Sequence, residues 1–309
     1  GWDYYLRFIK TYPSVQQLAA AKENEVMKLW EGLGYYSRCR NLLATAKKIV
    51  GEGGNFPRDY HALLTLKGVG PYTAAAIASF AYNLPYAVVD GNVFRVLSRY
   101  FGLSEPVDST KGKHLFTDLA ARALDHTAPG EYNQAIMDFG ATVCTPFAPA
   151  CNSCPLQKNC TAFQQGLVNR LPVKEKMLVR KHRWFTYFVL EHRGKQLIFQ
   201  RTAQDIWRDL HEFYLVETQE QVAWNEEKVQ SFLFEQFGIR DTGSPIVSGP
   251  YTQLLTHQEI RARFIYLKLN TLPQTLKGGR WLNSAMIKKL AFPRIINTYL
   301  QTAGVAKES

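Results

Sequence analysis

From Gly1 to about Phe163 the apolar residues recur at helical spacing. Tyr5, Phe8, Ile9 and Tyr12 share a face before Pro13, then Val26, Leu29 and Trp30, then Leu42, Leu43, Ala46 and Ile49. This pattern predicts short helices joined by local turns. Beyond about residue 170 the period changes. Phe185 to Leu190 and Gln196 to Arg201 are aromatic and β-branched runs separated by Arg193-Gly194, and Arg263 to Asn270 alternates in the same way, so all three read as strands. Asn225 stands where it would cap a helix carrying Val229, Phe232, Leu233 and Phe237 before Gly238, and Ile295, Ile296, Tyr299 and Leu300 form another helical face before Gly304. Between the two regimes, Leu171 to His182 carries Lys174, Lys176, Arg180, Lys181 and His182 around Pro172, the composition of a solvated basic connector. The expected organisation is an all-α domain over 1–168, a basic linker over 169–183 and an α+β domain over 184–309. No internal repeat or low-complexity tract is present.

A chain of 309 residues has the interior for two such domains. Its net charge of +11 and pI of 9.4 favour a polyanionic partner, because excess Lys and Arg neutralise phosphates and release their counterions. No apolar run approaches the roughly twenty residues of a bilayer span, and the start lacks a basic stretch followed by an apolar one. A soluble, intracellular protein without membrane contact is expected.

Cys144, Cys151, Cys154 and Cys160 form a C-x6-C-x2-C-x5-C cassette after a helical stretch. Four sulfurs in one short loop can close around an iron-sulfur cluster or a tetrahedral zinc, and two disulfides would use the same residues. A chain with five cysteines and an ordinary core does not read as a stapled secreted scaffold, which favours metal. The fifth, Cys39, reads as a small buried apolar residue. Leu66 to Thr73 places Gly68, Val69 and Gly70 before Pro71. Two glycines around one apolar residue allow a tight turn whose amides can grip a phosphate, and they equally allow a plain helix-helix turn. Asp90 follows an apolar run and precedes a helix with Phe94, Val96, Leu97 and Tyr100. By itself it reads as an N-cap.

Taken in order, the L-x-G-V-G hairpin, an Asp about twenty residues on and the cysteine loop resemble the helix-hairpin-helix DNA glycosylase superfamily in its iron-sulfur branch, and within it the adenine-specific glycosylases. Trp30 to Arg38 is similar to that family's WxGLGYYxR segment, Asn133-Gln134-Ala135 to Gly140 to its helix entering the cluster, and Leu255-Thr256-His257 to the F-S-H loop of its C-terminal domain. The resemblance implies a helix-hairpin-helix glycosylase domain with a 4Fe-4S cluster on Cys144, Cys151, Cys154 and Cys160, then a Nudix-like domain that senses 8-oxoguanine. It implies base flipping and hydrolysis of the N-glycosyl bond of adenine paired with 8-oxoguanine or guanine in double-stranded DNA, by a monomeric enzyme of the bacterial cytoplasm associated with the nucleoid. In that reading Asp90 stabilises the oxocarbenium-like sugar, Tyr72 and Asn92 orient Asp90 or water, and Gln134 meets the flipped adenine. Tyr35 wedges into the base stack beside the oxidised guanine, Thr256 and His257 contact its edge, and Gly68, Val69 and Gly70 hold the strand. Tyr72 occupies the position of the nucleophilic lysine of endonuclease III-like enzymes for oxidised pyrimidines; a phenol cannot form a Schiff base, which points to a monofunctional enzyme.

The chain departs from the family at its start. An L-P-W-R segment and a W-L-S-E-V-M-L-Q-Q-T helix, bearing the glutamate that protonates adenine, precede in the family the part that begins here at Gly1. A positioned proton donor is worth about 10²- to 10⁴-fold, so the expectation is an impaired enzyme or a lesion-DNA binding protein without catalysis, carried on a partial or trimmed chain with apolar surface left unburied. Glu23, Glu25 and Glu31 stand outside the matching context and read as solvated helix surface. The Nudix string of metal-binding glutamates is not found, Glu226-Glu227 being only an adjacent pair, so the second domain reads as recognition without pyrophosphate chemistry.

Overall fold

A computed structural model describes residues 1–175, 179–240, 242–272 and 278–305. Two compact units emerge, Lys48–Met177 and a second made of Gly1–Lys47 with Leu178–Ser309. Of the connector expected over 169–183, residues 176–178, and with them Lys176, lie outside the described residues; Lys181 and His182 already belong to a strand.

The Lys48–Met177 unit is all-α. Its helices run Tyr60–Leu64, Pro71–Tyr82, Gly91–Phe101, Thr110–Ala123 and Pro129–Thr142, followed by the 3₁₀ turns Cys151–Ser153 and Gln157–Asn159 and the short helix Thr161–Gln164. Each start has a local cause. Asp59 and Ser109 cap by accepting from Ala62 N and Gly112 N, while Pro71 and Pro129 sit at first-turn positions where a missing N–H is harmless. Val93, Leu97, Val107, Phe116 and Ala120 form one cluster of the unit's core.

The second unit centres on a seven-stranded mixed sheet: β1 (Lys181–His192), β2 (Lys195–Gln200), β3 (His211–Glu212), β4 (Tyr214–Thr218), β5 (Ile246–Leu254), β6 (Gln258–Lys268) and β7 (Arg280–Leu282). β1 lies parallel to β6 and antiparallel to β2 and β4, so it is buried on both faces. Alternation along it divides two cores: Phe185, Tyr187 and Val189 join one cluster, Phe188 and Leu190 the other. The helix Glu226–Phe237 covers the second cluster with Val229, Leu233 and Phe237; Asn225 caps it by accepting from Lys228 N, and Gly238 ends it at φ 67°. Helix Arg294–Val305 brings Ile295, Ile296 and Tyr299 to the first cluster. It runs past Gly304, where the apolar pattern placed its end. The β1–β2 turn is Arg193-Gly194, both at positive φ, as a two-residue hairpin requires.

Residues 1–47 complete that first cluster. Helices Val15–Ala20 and Glu23–Trp30 and the start of Tyr36–Gly51 place Leu18, Val26, Met27, Cys39 and Leu43 in the same core as Phe185 and Phe264. Polar ties follow the same path. Glu31 accepts from the Phe292 amide at 2.8 Å and from Lys28 at 2.6 Å, and Arg40 donates to the Arg208 carbonyl at 2.8 Å. Glu31 is therefore not solvated helix surface: its carboxylate satisfies a backbone N–H that would otherwise be buried unpaired. Helix Trp2–Thr11 buries none of its residues, and Trp2 and Tyr5 are 68% and 53% exposed.

Two buried guanidinium groups knit β1 to the segment after β2. Arg183 forks onto Asp205 and Glu217, and Arg201 donates to Glu212 at 2.6 Å and Asp205 at 3.2 Å. The Arg183 guanidinium holds the Asp205 carboxyl below its ordinary range, whereas burial pushes Glu212 up against the pull of Arg201. Among the described residues no helix is long and apolar enough to cross a membrane.

Candidate functional site

The all-α unit assembles its polar centre around the N-terminus of helix Gly91–Phe101. Asp90, half-buried, is the N-cap: its Oδ1 accepts from the Asn92 and Val93 amides, both at 2.8 Å, and its Oδ2 accepts from the Asn92 side chain at 3.0 Å. Capping and a chemical role are thus compatible. The backbone amides fix one oxygen, and the other faces the amide of Asn92.

Asn92 is in turn gripped by Arg95, one turn on, whose Nη2 donates to Asn92 Oδ1 at 2.8 Å. The same guanidinium donates through Nε to the Cys144 carbonyl at 2.7 Å and through Nη2 to the Gly140 carbonyl. Burial lowers its pKa, with Cys144 and Asp90 opposing that shift and Arg99 adding to it. A further turn along, Arg99 is 3% exposed and donates to the carbonyls of Leu171, Thr145 and Pro146 and to Cys144 Sγ at 3.4 Å. One helix therefore holds the Asp90 carboxylate at its start and the cysteine loop along its side.

Helix Pro129–Thr142 supplies the facing wall. Asn133, 1% exposed, accepts from the Val88 amide at 3.0 Å and donates to Ser79 Oγ and the Tyr86 carbonyl, both at 2.9 Å, pinning the segment that leads into Asp90. Gly140 is glycine for contact: a Cβ there would lie 2.7 Å from Asn92 Cβ. Gln134, exposed on the same helix, donates to Asp138 at 2.9 Å. Tyr72, at the start of helix Pro71–Tyr82 and 46% exposed, reaches Met137 Sδ at 3.9 Å, one turn beyond Gln134. Tyr72 and Asn92 thus both meet helix Pro129–Thr142, which carries Gln134, and Asn92 holds Asp90.

In the hairpin, Gly68 has φ 80°, Val69 N–H donates to the Leu66 carbonyl, and Gly70 precedes the helix with no side-chain cap. Among the described residues the Gly68 and Gly70 amides, unlike that of Val69, have no backbone acceptor. The four cysteines of the cassette line one cavity with Val96, Arg99 and Leu156. Burial, then the neighbouring Cys144 and Cys160, push the Cys151 thiol up. Among the described residues no three His, Cys, Asp or Glu side chains form a group that could hold a metal ion.

The remaining site residues read from sequence belong to the other unit. Tyr35 is 64% exposed in the turn before helix Tyr36–Gly51. Thr256 and His257 are exposed in the β5–β6 turn, closed by the Leu255 amide on the Gln258 carbonyl at 2.8 Å and tied to β1 by the Lys181 amide on the His257 carbonyl at 2.9 Å. Cys39 is buried at 1% exposure, and that burial pushes its thiol up to about 12. Arg95, Arg99 and the structural role of Asn133 carry no signal in the sequence pattern. An arginine every fourth residue on an amphipathic helix looks like solvated surface.

A family model described as HhH-GPD superfamily base excision DNA repair protein matches residues 2–119, and a NUDIX domain model matches residues 186–302. The chain belongs to the HhH-GPD superfamily of base excision DNA repair proteins and carries a NUDIX domain behind the helical part. Within that superfamily it is a homologue of the adenine DNA glycosylases. It is 49% identical to the adenine DNA glycosylase of Rattus norvegicus over 176 residues, 55% of this chain and 34% of that one. The adenine DNA glycosylase of Buchnera aphidicola (subsp. Acyrthosiphon pisum) is 34% identical over 230 residues, 73% of this chain and 65% of that one. For that of Arabidopsis thaliana the figures are 34% over 319 residues, 89% of this chain and 50% of the relative. The chain spans less than two thirds of the length of each of these relatives.

Proposed function

We propose that this protein is a monofunctional adenine DNA glycosylase of base excision repair, acting as a monomer on double-stranded DNA that carries adenine opposite 8-oxoguanine or guanine. The observation that carries this reading is the Asp90 carboxylate, aligned by two backbone amides and the Asn92 side chain at a helix start. Cleavage of an N-glycosyl bond leaves positive charge on the sugar, and a preorganised carboxylate lowers that barrier electrostatically or by transient bonding to the anomeric carbon. Asn92 fixes the carboxylate's second oxygen, Tyr72 helps orient Asp90 or the attacking water, and Gln134 exchanges its bond to Asp138 for the edge of the everted adenine. The amides of Gly68 and Gly70 grip the phosphate backbone, while the Val69 amide closes the turn on the Leu66 carbonyl. Tyr35 enters the stack beside the oxidised guanine, and Thr256 and His257 read its altered donor edge. The surplus of eleven positive charges suits a polyanionic partner.

Cys144, Cys151, Cys154 and Cys160 would hold a 4Fe-4S cluster. The four cysteines line one cavity and supply four sulfurs from one loop, the donor set such a cluster would take. The Arg99 N–H on Cys144 Sγ is a donor placed for a thiolate. When bound, the cluster cross-links the loop that Arg95 and Arg99 tie to the Asp90 helix.

The test is affinity for a duplex in which a cationic pyrrolidine replaces the adenosine sugar opposite 8-oxoguanine, a mimic of the charged transition state. The chain should prefer it over an uncharged abasic analogue, and Asp90→Asn should erase that preference while keeping affinity for the neutral duplex. Equal preference in both proteins would overturn the assignment. Borohydride should trap no covalent adduct, since Tyr72 stands where an amine would be needed.

A further inference from the structure

The turn that presents Tyr35 is over-determined. Gly32, Gly34 and Tyr35 have φ of 94°, 74° and 47°. Glycine takes such angles freely, whereas a bulky aromatic does so only when its surroundings insist. Those surroundings are visible. Trp30 Nε1 donates to the Gly34 carbonyl at 3.0 Å, the Gly32 amide donates to the hydroxyl of buried Tyr36 at 3.3 Å, and a Cβ on Gly32 would meet Tyr4 Oη at 2.5 Å. The backbone is thereby spent on holding one large ring outward.

The ring carries a cap. The Arg38 guanidinium carbon sits 4.6 Å from the Tyr35 ring centroid, and the Arg38 amide donates to the Tyr35 carbonyl at 2.8 Å. Arg38 is exposed, and among the described residues it has no acidic partner. Two residues on, Arg40 by contrast is committed to Asp209 at 3.3 Å and to the Arg208 carbonyl. A guanidinium over a ring covers one face and keeps N–H donors for an anion. The opposite face of Tyr35 is left for a nucleobase.

We propose that Arg38 is a positioning residue for Tyr35: its stack holds the ring in the attitude that enters the helix, and its N–H edge engages the phosphate beside the oxidised guanine. This rests on the reading of Tyr35 as a base-stack wedge. It adds a charge that couples insertion to backbone contact, so that the ring enters only where a phosphate is correctly placed.

The test uses the 309-residue chain and a duplex with adenine opposite 8-oxoguanine and 2-aminopurine as the next base, whose fluorescence reports unstacking. Binding should raise or quench that fluorescence, and Tyr35→Leu should remove the change while leaving the salt dependence of affinity intact. Arg38→Met should bind about two- to fivefold more weakly at low salt, lose most of the fluorescence change and flatten the plot of log K against log salt by about one charge. Arg38→Lys should keep the salt slope and recover the fluorescence change only in part, since an ammonium lacks the planar stack. Unaltered far-UV circular dichroism in all variants excludes misfolding as the cause. A fluorescence change that vanishes in Tyr35→Leu yet survives in Arg38→Met overturns the role given to Arg38 alone. No change with the unsubstituted chain takes the wedge reading down with it.

Discussion

Replacing Asn133 tests the frame that presents Asp90. The side chain is 1% exposed and makes three hydrogen bonds, to the Val88 amide, the Tyr86 carbonyl and Ser79 Oγ. Alanine removes all three, at a net cost of about 1 kcal/mol each, and leaves the Val88 N–H and Tyr86 carbonyl without partners, which adds about 1–3 kcal/mol. Ser79 is partly relieved, because its hydroxyl also reaches the Ala76 carbonyl at 3.5 Å. A loss of about 3–5 kcal/mol from the all-α unit is expected, visible as a fall of 1 M or more in the urea midpoint of the helical signal for m of about 1–3 kcal/mol/M. Asn133→Asp has the same shape and sets a second condition. One carboxylate oxygen still accepts from Val88, but the other opposes the Tyr86 carbonyl, so the folded-state pKa rises above the unfolded value of about 3.9. The penalty is then greatest above the folded pKa and shrinks as pH falls through it and the acid becomes a donor to Tyr86. Asn133→Asp should therefore gain on Asn133→Ala between pH 8 and pH 5. A midpoint within about 0.3 M of the unsubstituted chain, or an aspartate variant that worsens on acidification, would refute the reasoning.

Arg95→Lys keeps the charge but can serve only one of the acceptors now shared among Cys144, Asn92 and Gly140; losing two charge-assisted bonds should cost about 3–6 kcal/mol, read as a lowered urea midpoint, and an unchanged midpoint would contradict it. Gly140→Ala gains about 1 kcal/mol of helix propensity but drives a methyl to 2.7 Å from Asn92 Cβ, where overpacking costs about 1–3 kcal/mol. Calorimetry should show a lower melting temperature, accompanied by loss of the Asp90-dependent preference for the pyrrolidine duplex; a more stable protein would exclude the contact. Cys39, its thiol pushed up to about 12 by burial, should resist iodoacetamide in the folded chain at pH 8, and a rapidly alkylated Cys39 would mean that the core around it opens. Because the raised value favours the neutral thiol in the folded state, stability from this group is complete below the unfolded pKa of about 8.5 and is lost as pH climbs toward 12.

Local pattern carried much of this architecture. Asn225 and Gly238 bracket their helix as read, the run at 185–190 lies within β1, and that at 196–201 overruns the end of β2 by Arg201. β5 was hidden because Gly249-Pro250 sits in its middle, where Pro would ordinarily end a strand; the structure absorbs the pair in a register shift between Ser248 and Tyr251. Glu31 was misread because its partner, the Phe292 amide, lies 261 residues away and no spacing rule spans that distance. In the candidate site the motif residues were legible one by one: the hairpin glycines, Asp90 and the cysteines. The groups that bind them together were not. Arg95, Arg99 and Asn133 act through carbonyls and amides brought close only by the packing of helix Gly91–Phe101 with Pro129–Thr142, and backbone partners leave no trace in side-chain patterning.

The interleaving of residues 1–47 with the C-terminal sheet bears on how the chain matures on the ribosome. Leu18, Val26 and Met27 emerge before the helical unit, yet Phe264, Ile295 and Ile296 of the same core are translated after it. The helical unit in between is one continuous stretch of chain and can form as it is made, whereas residues 1–47 must wait with their greasy side uncovered until the later strands and helices follow. A stalled or prematurely stopped message would release a product with one finished half and one sticky tail, a natural client for chaperones and proteases.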